Sequence, residues 1–184
     1  MTADTQAQID AIFNQVAQYN QRHDTSKPLF FDTETTGGGR NDQIIEIAFC
    51  DSDRHVIIDT LIYTDRPSSP GAFKEHGIYP HELIGKPTFI DMQPAIVQLL
   101  KGRTLYAYNA NFDIRMMGQS GHKLRLQQAE VKCLCKQFAD FIGQYSAYFK
   151  ANRYFSLSKA CLHFGVKHTV NTPNLKQHQS RIIK

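Results

Sequence analysis

The sequence is poor in cysteine and has no long apolar run. Its four cysteines are unevenly spaced, and Cys133 and Cys135 are separated by one residue, not by the two of a zinc or redox motif. We therefore expect reduced thiols and a cytoplasmic location. No apolar run approaches the roughly 20 residues that a membrane helix needs. Residues 1–10 are polar, unlike a secretory signal, so we expect a soluble protein with no membrane partner.

Acidic side chains are absent from the C-terminal part of the chain. Asp140 is the last acidic residue, and residues 141–184 carry lysines and arginines but no Asp or Glu. The whole chain has a net charge of +4 and a pI of about 8.9. A basic end of this kind is attracted to phosphate, which favours a nucleic acid as partner. A basic end that is merely solvated is the alternative.

The length and the apolar patterning predict a single α/β domain. Its 184 residues suffice for one sizeable core. Apolar and β-branched segments predict strands at residues 28–33, 44–52, 55–63 and 104–108, with a hairpin connection at 51–54. Helical spacing predicts helices at residues 5–19, 81–83, 91–100, 112–117, 129–141 and 157–164, the last ended by Gly165. Loops are expected at residues 35–43 and 66–72, and the order of elements indicates a mixed sheet flanked by helices.

Two acidic side chains share one face of the first predicted strand. Asp32 and Glu34 are two residues apart, and side chains at that spacing point to the same side of a strand. Carboxylates placed together repel each other unless a cation joins them, and hard ions such as Mg²⁺ or Mn²⁺ prefer oxygen ligands. By itself, such a pair is more often a solvated strand end than a metal site.

A third acidic residue follows the last predicted strand. Asp113 lies where this strand gives way to a helix, which is where open α/β sheets place their ligands. Stabilisation of the helix dipole is the alternative role for an Asp at this position. With Asp32 and Glu34, it makes a candidate set of metal ligands.

Five segments, in this order along the chain, resemble the motifs of the DnaQ-like (DEDD) superfamily of 3′–5′ exonucleases, most closely its DEDDh branch. They are DTETTG at 32–37, QIIEIA at 43–48, HGI at 76–78 with PTF at 87–89, YNANFD at 108–113, and LSKAC at 157–161 through FGV at 164–166. Tyr108 stands where the family commonly has a His. The resemblance covers residues 29–166.

The resemblance implies a ribonuclease-H-like fold with a five-stranded mixed sheet. It also implies hydrolysis of phosphodiester bonds by two Mg²⁺ or Mn²⁺ ions about 3.5–4 Å apart. In that scheme Asp32 bridges both ions, Glu34 holds the ion beside the attacking water, and Asp113 binds the second ion. The family acts on single-stranded 3′ ends of DNA or RNA, and its proofreading members act with a polymerase. Substrate contacts are implied for Thr33, Thr35, Thr36, Asn109 and Phe112.

The third motif of the family has no clear counterpart here. In the family, a His that acts as general base and an Asp five positions later follow the helix that ends near Gly165. By spacing, Asn174 and Gln179 stand at these positions, and His178 is another candidate base. A neutral amide is a poor Mg²⁺ ligand, and Asn cannot take a proton from water near neutral pH. The chain is therefore expected to bind two ions as the family does, or only one.

Two functions remain open at this point. One is an exonuclease of weak or altered activity, and the other is a module of the same fold that binds 3′ ends or a protein partner without cutting. The predicted organisation is an N-terminal helical extension at 1–27, an exonuclease-like domain at 28–166, and an atypical basic end at 167–184 without the third motif. Because the chain stops at Lys184, before the long final helix of such domains, we expect this end to be replaced or truncated.

Overall fold

The computed structural model describes residues 1–121 and 129–167, and its centre is a five-stranded sheet. The strands are β1 (Leu29–Thr35), β2 (Ile44–Asp51), β3 (Val56–Leu61), β4 (Thr104–Ala107) and β5 (Glu130–Cys133). Their order is β3-β2-β1-β4-β5, with β1, β2 and β3 antiparallel and β1, β4 and β5 parallel. This arrangement confirms the predicted mixed sheet.

Helices lie against the sheet and around its edges. They are α1 (Ala3–Arg22), α2 (Pro70–His76), α3 (Phe89–Leu100), α4 (Ala110–Ser120), α5 (Leu134–Ile142) and α6 (Leu157–His163), with a 3₁₀ turn at Pro80–Leu83. A short hairpin, β6 (Tyr145–Ser146) and β7 (Ala151–Asn152), lies between α5 and α6. Among the described residues, no helix is long and apolar enough to cross a membrane.

Alternate residues of β1 divide the sheet into a core face and an open face. Leu29, Phe31 and Thr33 are buried, and the first two pack with Val16 of α1 and Ile96 of α3 in one apolar cluster. Burial of a large apolar side chain contributes roughly 1.5–3 kcal/mol, so this face fixes the orientation of β1. The intervening residues, with Asp32 and Glu34 among them, therefore point to the opposite face.

A buried arginine joins α1 and the start of β1 to β4. The Arg103 side chain is 1% exposed and donates hydrogen bonds to Asn20 Oδ1 and to the carbonyl oxygens of Asp24 and Lys27. Its guanidinium also lies 5.3 Å from the centre of the Tyr19 ring. These acceptors are backbone and amide oxygens at the end of α1 and in the turn that follows it, so the arginine ties this turn to the start of β4.

The single helix predicted at residues 129–141 is wrong. Residues Glu130–Cys133 form β5, and α5 begins only at Leu134. The four β5 residues pair in register with Thr104–Ala107 of β4, so pairing with a neighbouring strand overrides the local helical pattern.

Two other expectations also need correction. The loop predicted at 66–72 contains the first turn of α2, because Ser69 caps the helix and Pro70 occupies its first position, where a missing N–H costs nothing. The first strand extends to Thr35, past the predicted end at residue 33. The β6–β7 hairpin was not predicted.

The stop at Gly165 is confirmed, since this glycine adopts a positive φ of 66° directly after the end of α6.

The four cysteines are free thiols, as predicted. Cys133 and Cys135 lie at the junction of β5 and α5, with their Sγ atoms 3.4 Å apart. Burial and the neighbouring thiol raise the pKa of Cys135 to about 12.

Candidate active site

The first part of the site is the open face of β1. Asp32 is exposed and Glu34 half-buried on this face, while Thr33 between them is buried. In the antiparallel register, Asp32 lies opposite Ala48 and Glu34 opposite Glu46 of β2. The structure thus confirms that the two acids share one face of one strand.

The second part is the start of α4. Asp113 lies in the first turn of this helix, directly beyond the end of β4, and is 2% exposed. The Thr33 hydroxyl donates a 2.8 Å hydrogen bond to Asp113 Oδ1. Since β1 and β4 are parallel neighbours, this bond fixes the carboxylate of α4 against the strand that carries the other two acids.

The electrostatics of the two aspartates favour a bound cation. Burial, then the negative charge of Asp32, raise the pKa of Asp113 to about 7, although the hydrogen bond from Thr33 acts in the opposite direction. The pKa of Asp32 is raised to about 6, mainly because surrounding protein removes water from its carboxyl. Asp32 nevertheless retains exposed surface. Two carboxyl groups whose ionised forms are disfavoured by their surroundings are stabilised in those forms by a divalent ion.

The donor set fits hard divalent ions. Carboxylate oxygens are the ligands that Mg²⁺ and Mn²⁺ prefer. Among the described residues, the three acids do not form a group whose ligand atoms all lie within 4.8 Å of one another.

A triple-glycine turn follows β1 and is held by α4. The guanidinium of Arg115 donates hydrogen bonds to the carbonyl oxygens of Gly38 and Gly39, and the amide of Gln119 donates to Gly39 and Asp42. These contacts were missed in the sequence. Arg115 and Gln119 are four residues apart, so they share one face of α4. This spacing is the feature of the sequence from which the contacts could have been predicted.

Asp42 fixes the same turn from within. Its Oδ2 accepts a 2.6 Å hydrogen bond from the Gly39 N–H, and its Oδ1 accepts a 2.8 Å bond from the Thr36 hydroxyl. A Cβ atom on Gly37 would lie 2.7 Å from Asp42 Oδ2, so the close approach requires glycine at this position.

The residues implied as substrate contacts have different surroundings. The hydroxyls of Thr33, Thr35 and Thr36 all donate to protein acceptors: Asp113, the Gly37 carbonyl and Asp42. Asn109 is exposed at the N-cap of α4, and Phe112 is half-buried with the Arg115 guanidinium 5.3 Å from its ring centre. A substrate contact by the threonines would therefore use their backbone.

A half-buried row of side chains crosses the open face next to Asp32. The ring of Phe30 stacks on that of Tyr106 at 5.4 Å, and Lys132 Nζ lies 5.9 Å from the Tyr106 ring centre. The three residues occupy paired positions on β1, β4 and β5. The row brings aromatic surface and a positive charge to the face that carries the acids.

Tyr108 connects the end of β4 to the segment between β7 and α6. It lies at the end of β4, and its hydroxyl donates a 2.8 Å hydrogen bond to the Phe155 carbonyl. Burial raises the pKa of this phenol. The candidate third-motif residues Asn174, His178 and Gln179 lie outside the residues that the structure describes.

The chain is similar to known exonucleases. Residues 29–180 match the family model of the RNase T group, described as an exonuclease. The chain is 29% identical over 146 residues to the uncharacterized exonuclease CP81 of Escherichia phage 186, covering 75% of each chain. It is 31% identical over 158 residues to the DNA polymerase III subunit epsilon of Treponema pallidum, covering 83% of this chain and 70% of that one.

Solved structures show the same fold. Exonuclease I of E. coli in complex with a dA16 oligonucleotide aligns with a TM-score of 0.58 at 19% identity, over 78% of this chain and 37% of that one. A product-bound exonuclease I aligns with a TM-score of 0.60 at 20% identity, over 78% and 39%. The match thus spans less than half the length of those proteins. With the family match over most of its length and relatives that include polymerase epsilon subunits, this chain belongs to the DnaQ-like exonuclease family.

Proposed function

We propose that this protein hydrolyses phosphodiester bonds at single-stranded 3′ ends of DNA or RNA, with Asp32, Glu34 and Asp113 as ligands of Mg²⁺ or Mn²⁺. The observation that carries the proposal is the 2.8 Å hydrogen bond from the Thr33 hydroxyl to Asp113 Oδ1, which holds the buried carboxylate of α4 against the strand that carries Asp32 and Glu34. The pKa values of Asp32 and Asp113 are also raised, and carboxyls with perturbed pKa values concentrate at functional sites. When bound, the ions supply charge stabilisation at the phosphate and a water of lowered pKa.

The chain's own groups then have three tasks. The carboxylates on β1 and α4 hold the cations, and Thr33 keeps Asp113 in place through its hydrogen bond. The triple-glycine turn, fixed by Asp42 and Arg115, keeps backbone close to the open face of β1. Rigid positioning of this type is what phosphoryl chemistry needs from a protein.

The open face supports a single-stranded substrate. Exposed bases stack on aromatic rings at a gain of roughly 1–3 kcal/mol each, and phosphates are attracted to cations. Phe30, Tyr106 and Lys132 offer both kinds of contact beside Asp32. Such contacts do not distinguish sequences, which agrees with an enzyme that shortens ends of any sequence.

A second candidate function follows from the lack of an acidic residue at the third motif. Residues 141–184 contain no Asp or Glu, so none of them supplies a fourth carboxylate ligand. A protein with three carboxylates and no third-motif Asp could bind 3′ ends with its metal and not cut them.

A cleavage assay separates the two functions. A single-stranded oligonucleotide labelled at its 5′ end is incubated with the protein and Mn²⁺, once as DNA and once as RNA. An exonuclease that acts from the 3′ end yields a ladder of labelled products shortened one nucleotide at a time, and a blocked 3′ end slows it. We expect this ladder from the wild type and none from Asp32→Ala.

The matched control is Asp4→Ala, which removes an exposed carboxylate in the first turn of α1. Cleavage that persists unchanged in Asp32→Ala would reveal a contaminating nuclease. Metal-dependent binding without any cleavage by the wild type would overturn the exonuclease proposal and favour the binding module.

A polymerase partner is the second part of the proposal. It is supported by the similarity to a subunit of DNA polymerase III. Gel filtration of an equimolar mixture with the replicative polymerase subunit of the same organism tests it, and separate elution of the two proteins would contradict it.

A further inference from the structure

Three potential metal ligands meet on the core side of the sheet, away from Asp32. They are His23, Asp51 and His55, whose ligand atoms all lie within 4.8 Å of one another. Within residues 1–121 and 129–167, they are the only group of three with this property. Asp51 ends β2 opposite Leu29, which is a core-facing residue, whereas Asp32 points to the open face. The group is therefore separate from the proposed active site.

His23 is held in an orientation that suits a ligand. It follows the last turn of α1, its Nδ1 lies 3.1 Å from the Tyr19 carbonyl oxygen, and its ring stacks on the Tyr19 ring at 4.2 Å. A carbonyl oxygen can only accept, so Nδ1 carries the proton and Nε2 keeps its lone pair. Protein zinc sites commonly orient a histidine through this kind of backbone contact.

Asp51 supplies the negative charge. Its side chain is fully buried, and its Oδ2 accepts from the Tyr19 hydroxyl at 2.9 Å. Burial would raise the pKa of Asp51, but hydrogen bonds from the N–H groups of His55 and Asp53 and from Tyr19 hold it below its usual value. The carboxylate is therefore ionised at neutral pH.

His55 completes the group from the β2–β3 turn. Its Nδ1 lies at hydrogen-bond distance, 3.1 Å, from Asp51 Oδ2, so a metal ion held by both side chains would replace this contact, and the His55 side chain is 61% exposed. Two ligands with bonds of about 2.1 Å cannot be more than about 4.2 Å apart. Since no pair of these ligand atoms is more than 4.8 Å apart, the group needs at most a small adjustment to bind one ion, and the exposed ring of His55 is free to rotate.

We propose that His23, Asp51 and His55 bind one divalent ion of the zinc class, with water at the remaining position. Two imidazoles and one carboxylate suit Zn²⁺ and its neighbours in the first transition row, whereas Mg²⁺ prefers oxygen ligands alone. The ion would join the end of α1 to the β2–β3 turn. The N-terminal helix would then be attached to the sheet by a metal bridge as well as by its apolar contacts.

The test is Zn²⁺ binding in an Asp32→Ala background with Mg²⁺ in large excess, so that the proposed active site does not contribute. Isothermal titration gives affinity and stoichiometry, and Co²⁺ absorption reports the ligand set. We expect one site per chain, bound at least tenfold more weakly in His55→Ala and in His23→Ala. The control, His81→Ala, removes an exposed histidine outside the group and should bind as the parent does.

Thermal unfolding gives a second readout. An ion that binds only the folded chain raises the unfolding temperature, by an amount that grows with the logarithm of its concentration divided by its Kd. Zn²⁺ should therefore raise the unfolding temperature of the parent and of His81→Ala, but raise that of His55→Ala much less. Because the His55 ring is exposed, this variant is expected to fold even if His23→Ala does not.

Equal Zn²⁺ affinity in the parent, His55→Ala and His81→Ala would overturn the proposal, since binding would then come from other groups. The absence of Zn²⁺ binding by the parent would overturn it as well. Neither result bears on the cleavage assay, which tests the other face of the sheet.

Discussion

Thr33 and Asp113 lie 80 residues apart in the chain, yet the hydroxyl of the first donates a 2.8 Å hydrogen bond to the carboxylate of the second. Thr33 belongs to β1 and Asp113 to α4, so this bond connects the two elements that carry the candidate metal ligands. The bond favours the ionised form of Asp113, whereas burial and the negative charge of Asp32 favour the protonated form.

The first prediction concerns this bond. Thr33→Val keeps the shape of the side chain and removes the donor, so the pKa of Asp113 should rise further. A hydrogen bond to a charged group is worth about 1.5–3 kcal/mol, so we expect kcat/KM at pH 7 to fall by about tenfold or more. The loss should shrink at pH 9, where the carboxyl ionises regardless, and Thr33→Ser should behave nearly as wild type. A loss of equal size at both pH values would contradict the proposed role.

The second prediction concerns stability against pH. The pKa values of about 6 for Asp32 and about 7 for Asp113 lie above the ordinary value of 3.8. At pH values between the ordinary pKa and these raised values, the folded chain binds more protons than the unfolded chain. The stability contributed by these two carboxyls is therefore complete below about pH 4 and is lost as the pH rises through 6 and 7. Bound Mg²⁺ offsets that loss, so the rise in unfolding temperature on adding Mg²⁺ should be small at pH 5 and large at pH 8.

The third prediction follows from the same charges. Asp113→Asn removes a buried carboxylate whose negative charge is unfavourable beside Asp32. At pH 8 the metal-free variant should therefore be more stable than the metal-free wild type. It should gain little from Mg²⁺ and should not cleave. Thermal unfolding with and without Mg²⁺ measures the first two effects. A variant less stable than wild type under metal-free conditions would indicate that the bond to Thr33 outweighs the repulsion from Asp32.

The fourth prediction concerns the triple-glycine turn. A methyl group on Gly37 would lie 2.7 Å from Asp42 Oδ2, and that carboxylate cannot move without losing its bonds to Gly39 and Thr36. We expect Gly37→Ala to lower the free energy of unfolding by about 1–3 kcal/mol, the usual cost of overpacking. Gly38→Ala is the control, because among the described residues the one atom within 4 Å of its Cβ would be Phe112 Cε2, at 3.9 Å. Urea unfolding of both variants measures the difference, which vanishes if the turn can relax.

The fifth prediction concerns Arg103. Arg103→Met would remove the donor to the part-buried carbonyl oxygens of Asp24 and Lys27 and to Asn20 Oδ1, although the Asp24 carbonyl keeps its bond from the Lys27 N–H. Loss of a hydrogen-bond donor from polar groups that are partly removed from water costs about 1–3 kcal/mol, so the variant should lose unfolding free energy of that size. The control, Arg22→Met, changes an exposed arginine at the end of α1 and should be close to neutral. Equal effects in urea unfolding would argue against the role of Arg103 in ordering this turn.

The local sequence was sufficient for the identity of the acids and for most of the elements. Asp32 and Glu34 share a face because strand geometry has a period of two, and this holds wherever the strand lies. Likewise, Gly165 ends α6 because only a residue without a side chain adopts its positive φ at little cost.

The tertiary structure decided what depends on distant partners. Residues Glu130–Cys133 are a strand because β4 offers a parallel edge, which the local pattern does not contain. His23 and His55 are neighbours only because α1 and the β2–β3 turn meet at the same end of the sheet. The raised pKa of Asp113 likewise requires burial and the charge of a residue 81 positions earlier. The sequence by itself therefore determined which side chains carry the chemistry, and the packing of the sheet and helices determined their distances and their charge.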